Sequence, residues 1–143
     1  FADRIRDVSE FLVELGPRPP RGPLPMKATY HDACHLVHAQ GVRQPPRKLL
    51  EMVPGLELVS LPESEICCGA AGSYNLVEPE MSDQLAGRKV QHILSTGAEA
   101  VITGNAGCSL QLQTALRQAG RPMWVAHPVD ILDLSYREAA LPD

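Results

Sequence analysis

The residues best equipped for chemistry are four cysteines, Cys34, Cys67, Cys68 and Cys108, and two of them are neighbours in the string EICCGAAGSYN at 65–75. Side chains of adjacent residues diverge on an extended backbone, so such a pair is poorly placed to form its own disulfide. A thiol–disulfide pair of the thioredoxin kind needs C-x-x-C, which is absent. A cysteine nucleophile needs one thiol and a base; His35, His38 or His127 could supply the base, but three thiols would stay idle. Zinc accepts four thiolates, usually from C-x₂₋₄-C knuckles, and adjacent ligands close a tetrahedron of about 2.3 Å bonds poorly. An iron–sulfur cluster is larger and its irons are separate, so neighbouring thiolates can reach different irons. The cluster is therefore favoured. A Cys-ligated zinc is the alternative, a thiol–disulfide enzyme ranks third, and the bland reading is a set of small buried hydrophobes.

These residues need elements to hold them. Ile5, Val8, Phe11, Leu12 and Leu15 recur at helical spacing, and Gly16 ends that run. The stretch GPRPPRGPLP at 16–25 reads as a semi-rigid linker, which divides the chain into an arm at 1–25 and a domain at 26–143. Within the domain, strand-like segments at 26–34, 56–61, 98–105 and 123–127 alternate with helical ones at 44–53, from Pro79 to Gly97, 108–120 and 128–137. The inward face expected of the Pro79 helix is Met81, Leu85, Ala86, Val90, Ile93 and Leu94. Four strand–helix units predict an α/β fold: a mainly parallel four-stranded sheet, order 2-1-3-4, with helices on both faces.

In that arrangement every cysteine falls beyond the carboxyl end of a strand. Cys34 lies at the end of the first, Cys67 and Cys68 follow the second, and Cys108 follows the third. This rim, at the point where strand order reverses, is where doubly wound sheets bind ligands.

Composition narrows the classes. The chain has 143 residues, 44% apolar and 21% charged, enough for one domain with a real core. A net charge of −4 offers no electrostatic footprint for nucleic acid. No apolar run approaches the roughly 20 residues of a membrane span. The chain opens on Phe1, so it reads as a piece of a longer protein.

The combination HD-x-CH (31–35), CCG (67–69), YNL-x-x-PEM (74–81) and GN-x-GC (104–108) is highly specific. It resembles the cysteine-rich CCG domain found in heterodisulfide reductase, lactate-utilisation proteins and the glycolate oxidase iron–sulfur subunit, and is most similar to the C-terminal domain of the last. The resemblance covers residues 1–137. It implies an iron–sulfur centre of the 4Fe-4S kind held by Cys34, Cys67, Cys68 and Cys108. The family pattern ends in Cys-x-x-Cys; here 32 residues separate Cys34 from Cys67 and 39 separate Cys68 from Cys108, but the last position is Gln111. The missing fifth thiolate leaves the cluster type open, with a structural metal as plausible as a four-cysteine cluster.

By the same resemblance the parent passes electrons from flavoprotein subunits of a 2-hydroxy-acid-oxidising complex toward a quinone. It would carry an upstream ferredoxin-like domain, sit in the cytoplasm or peripherally at the inner membrane, and convert no substrate in this fragment. The alternative is a docking domain with zinc or no metal. Around the thiols, Gly69 would turn the backbone so that both sulfurs face one side. Gly104 and Gly107 would shape the entry to the helix at Cys108, whose dipole favours a thiolate. His31, His35, His38 and His127 could donate to cluster sulfurs or cap local backbone.

Overall fold

The computed structural model describes residues 5–70 and 72–141. Four short strands, β1 (Met26–His31), β2 (Leu56–Val59), β3 (Ala100–Thr103) and β4 (Trp124–Ala126), form one sheet in the order β2-β1-β3-β4. All three pairings are parallel, with Thr29 level with Val59, His31 with Thr103 and Ile102 with Ala126. The expected order is the observed one. β3 is buried along its whole length, as a central parallel strand covered on both faces must be.

Among the described residues, seven helices surround the sheet: α1 (Val8–Leu15), α2 (Cys34–Gln40), α3 (Gln44–Glu51), α4 (Tyr74–Val77), α5 (Pro79–Ser95), α6 (Ala106–Gln118) and α7 (Pro128–Tyr136). Side-chain alternation along the strands sorts the core into two layers. Val101 and Val125 pack with Val90 and Ile93 of α5 and with Leu112 and Leu116 of α6. Ala28, Tyr30 and Ile102 face the other way, onto Leu49 and Leu50 of α3 and Ile131 and Leu132 of α7. Cys68 and Cys108 belong to the first layer. Among the described residues no helix is long and apolar enough to cross a membrane.

Two short helices depart from the pattern expected of the sequence. The first strand stops at His31, and Cys34 opens α2 instead of ending β1; Gly41, at φ 71°, closes that helix in the left-handed conformation. The single turn α4 follows the Cys-Cys-Gly loop. On α5 the inward face is turned from the expected one: Ser82 and Lys89 are buried with Ala86, Val90 and Ile93, while Met81 is 46% exposed. The helix starts of α1 and α7 are fixed by reciprocal caps, Asp7 with Glu10 and His127 with Asp130.

The proline-rich segment before β1 lies along the second layer. The Gly22 N–H donates to the Ser135 carbonyl at 2.9 Å, the Leu24 N–H to the Pro54 carbonyl at 2.8 Å, and the Leu24 side chain joins the core. α1 packs against α3.

The end of β1 is pinned by an ion pair. Asp32, 4% exposed, accepts two hydrogen bonds of 2.7 Å from the Arg47 guanidinium, which also lies 4.8 Å from the centre of the Tyr30 ring. Burial alone would raise the Asp32 carboxyl, but the Arg47 bonds overcome it and its pKa is lowered. Removing one partner of a buried pair leaves the other charge uncompensated. Arg47→Leu is therefore expected to destabilise the fold by about 3 kcal/mol, read as a lower urea midpoint at unchanged m value. Adding Asp32→Asn to that variant should recover part of the loss, because the stranded charge is then gone.

Candidate metal centre

The sheet brings the polar residues to one end. His31 is the last residue of β1 and lies level with Thr103, the last residue of β3. Both side chains are wholly buried and project toward α5 and α6, on the same side as Thr29 and Val101. A ring nitrogen of His31 and the Sγ atoms of Cys68 and Cys108 all lie within 4.8 Å of one another. Neither His31 nitrogen has a hydrogen-bond partner among the described residues, nor does Thr103 Oγ1.

Cys34 and Cys67 flank this buried group and are half-exposed. Burial and the nearby Cys67 sulfur push the Cys34 thiol up, while the His35 backbone N–H pulls it down. Cys67 Sγ accepts the Gly69 N–H at 3.3 Å. Cys68 and Cys108 shift each other in opposite directions. The hydrogen bond from Cys108 draws the Cys68 thiol down, against its burial and with help from His31 and the Ala70 backbone N–H. Cys108 is pushed up by that same bond and by burial, with the charges of Cys68, Cys34 and Cys67 adding to it. All four sulfurs thus act on one another. The backbone N–H of Cys108 donates to Asn105 Oδ1 at 3.0 Å, which caps the start of α6.

The loop carrying Cys67 and Cys68 is bolted to α5. Gly69 has φ 92°, and a Cβ there would sit 2.5 Å from the Ser82 carbonyl oxygen, so only glycine fits. Ser82 Oγ donates to the Gly69 carbonyl at 3.0 Å and accepts from Gln111 Nε2 at 3.2 Å. Gln111, standing where the family pattern has a fifth cysteine, serves here as a brace for the loop. Upstream, the Glu63 carbonyl accepts from Lys89 Nζ, its carboxylate pairs with Arg88 and with His92 at 3.0 Å, and the Ser64 carbonyl accepts the Asp32 N–H at 3.1 Å.

Lys89 is the residue that sequence reasoning missed altogether. It is 1% exposed, and no other lysine or arginine among the described residues is buried. Burial lowers its pKa, and the charges of Cys68, Glu63, Asp32 and Cys67 oppose that lowering. A cation held beside thiols compensates the charge that they acquire on ionising.

The other expected residues lie further out. The side chains of His35 and His38 are exposed on α2 and take no part in the buried group. His127 spends Nδ1 on the Val129 N–H at 3.1 Å, capping α7. A Cβ on Gly104 would lie 3.3 Å from Leu36 Cδ1, 3.4 Å from the Tyr30 hydroxyl and 4.0 Å from His127 Nε2, so this glycine serves close packing. Gly107 is exposed in the first turn of α6. A cleft of about 600 Å³ between α5 and α6 runs up to Ser82 and Gln111, and its walls include no cysteine.

Soft thiols, an imidazole and a buried cation, with orphaned nitrogens facing the sulfurs, fit a metal or an iron–sulfur group. Comparison with known proteins agrees. The model of the cysteine-rich domain, CCG, matches residues 28–113. The chain is 38% identical to lactate utilization protein A 1 of Bacillus mycoides over 142 residues, 99% of this chain and 58% of that protein. It is 33% identical to lactate utilization protein A of Oceanobacillus iheyensis over 99% of this chain and 58% of the relative. It is 35% identical to one of the subunits of the fumarate reductase (CoM/CoB) of Methanothermobacter marburgensis over 94% of this chain and 28% of that protein. The chain therefore spans little more than half the length of the lactate-utilisation relatives.

Two substitutions check the brace. Gly69→Ala meets both a left-handed backbone and the Ser82 carbonyl, and is expected to cost about 2 kcal/mol or more in chemical denaturation. Ser82→Ala leaves the Gly69 carbonyl and the Gln111 amide without their partner, and is expected to cost about 1–3 kcal/mol.

Proposed function

Because the chain belongs to the cysteine-rich CCG domain family, we propose that it is the iron–sulfur electron-transfer domain of a 2-hydroxy-acid-oxidising complex of the glycolate or lactate type. The observation that carries the reading is the meeting, within 4.8 Å, of the Cys68 and Cys108 sulfurs with a ring nitrogen of the buried His31 at the carboxyl end of β1 and β3, with Cys34 and Cys67 near enough to shift the thiols. Cys34, Cys67, Cys68 and Cys108 would hold the cluster, which when bound supplies reversible one-electron chemistry.

The chain's own part is to hold and tune. Ser82 and Gln111 fix the loop that carries two of the sulfurs. Lys89 offsets thiolate charge from a dry position, an electrostatic contribution that solvent screens little. Exposed apolar side chains occur on the cysteine-bearing segments: Ile66 next to Cys67, Leu110 two residues past Cys108 on α6 and 68% exposed, and Leu76 and Val77 on α4, the helix that follows the Cys67–Cys68 loop. Such a surface suits docking of a flavoprotein partner and a ferredoxin-like domain, with electrons leaving toward a quinone. The centre relays electrons, and the substrate is oxidised elsewhere in the complex.

The compact His31–Cys68–Cys108 group favours one second reading, a docking domain built on a single zinc. Metal analysis of the full-length parent, purified without air, separates the two. Several irons with matching sulfide and broad visible absorbance are expected, and Cys68→Ser or Cys108→Ser should remove most of both. One zinc per chain, colourless and without sulfide, would replace the electron-transfer reading with the structural one.

A further inference from the structure

His31 is the anomaly of the site. It is 0% exposed, yet both Nδ1 and Nε2 lack any hydrogen-bond partner among the described residues. An unsatisfied buried polar group is destabilising, and an apolar side chain here would avoid that cost. The imidazole is not idle filler, because its nitrogen shares a space of 4.8 Å with two sulfurs. A nitrogen and two sulfurs bound to one tetrahedral ion, at about 2.0 and 2.3 Å, lie roughly 3.7 Å from one another. The observed spacing, within 4.8 Å, exceeds that by about 1 Å at most.

The family pattern supplies a fifth thiolate that this chain lacks, and Gln111 at that position is turned to Ser82. We propose that His31 is itself a ligand of the metal centre, binding through a ring nitrogen and forming with Cys68 and Cys108 a mixed nitrogen–sulfur corner. This rests on the reading of the site as a metal centre. Ligating histidines usually donate their other ring N–H to an oxygen nearby. Thr103, level with His31 across the β1–β3 ladder, carries the one unpartnered buried side-chain oxygen among the described residues and is a group able to receive it. The exposed His35 and His38 are excluded from this role by their position on α2.

The test uses the full-length parent loaded anaerobically with iron and sulfide, grown with and without ¹⁵N-histidine. Pulsed electron paramagnetic resonance of the reduced centre is expected to show a strongly coupled histidine nitrogen. His31→Cys should keep the metal and lose that coupling. His31→Leu should bind at least tenfold less metal in chelator competition, while its metal-free form unfolds at the same or a higher urea concentration than wild type. A histidine needed only for packing would give the opposite pattern. A loaded wild-type centre with sulfur-only coordination, or a coupling that survives His31→Cys, would overturn the proposal and leave the electron-transfer reading intact. If zinc binds in place of iron, X-ray absorption at the zinc edge reads the same question through a nitrogen shell that His31→Cys removes. If neither metal binds, the metal centre and the ligand both fall.

Discussion

The site depends on the adjacency of two strands. β1 and β3 are far apart in sequence but hydrogen-bonded side by side in the same direction, so their last residues, His31 and Thr103, are level. The chain leaves each strand at the same edge, and the segments that follow carry Cys34 and Cys108. β2 pairs with the other side of β1 and delivers Cys67 and Cys68 to that edge. A single reversal of strand order thus gathers chemistry from three excursions of the chain, the arrangement by which open parallel sheets form ligand sites. A slip of one residue in the β1–β3 register would turn His31 to the opposite layer, among Tyr30 and Ile102.

Around that edge, polar groups are held in a network with few loose ends. Asp32 is tied to Arg47, Glu63 to α5, and Gly69 to Ser82. Among the described residues the buried side chains without a partner are His31 and Thr103, level with each other at the ends of β1 and β3. A fold that satisfies nearly every buried donor and acceptor, and leaves its exceptions clustered in one place, marks that place as one where something other than packing is served. The electrostatics agree: the Cys68 thiol is drawn down, and its charge is foremost among those that oppose the lowering of the buried Lys89.

Much of this is legible in the residues. The strand–helix alternation specifies the sheet, its parallel sense and its order, because apolar runs bounded by glycine and proline are strong local signals. The placement of all four cysteines past strand ends follows from that. The short helices α2 and α4 are not legible: a turn or two carries too little periodicity to stand out. The burial of Ser82 and Lys89 is hidden for a different reason. A charged side chain reads as solvent-facing, and only the tertiary neighbours of Lys89, the Glu63 and Ser64 carbonyls, make its burial tolerable. His31 reads in sequence as one of a group with His35 and His38, although strand alternation already separates it: it shares a face with Thr29, whereas the other two fall past the strand.

The contact between Gly69 and α5 has a mechanical consequence. Because no atom can be inserted between that glycine and Ser82, and because Arg88, Lys89 and His92 grip the preceding turn from the same helix, the two neighbouring sulfurs ride on α5 as passengers. Cys108 sits on α6 and His31 on the sheet, so the spacing among donors amounts to a gauge of how α5 is seated. Pressure on the outer surface of that one helix would be transmitted to the donor set without passing through any flexible joint.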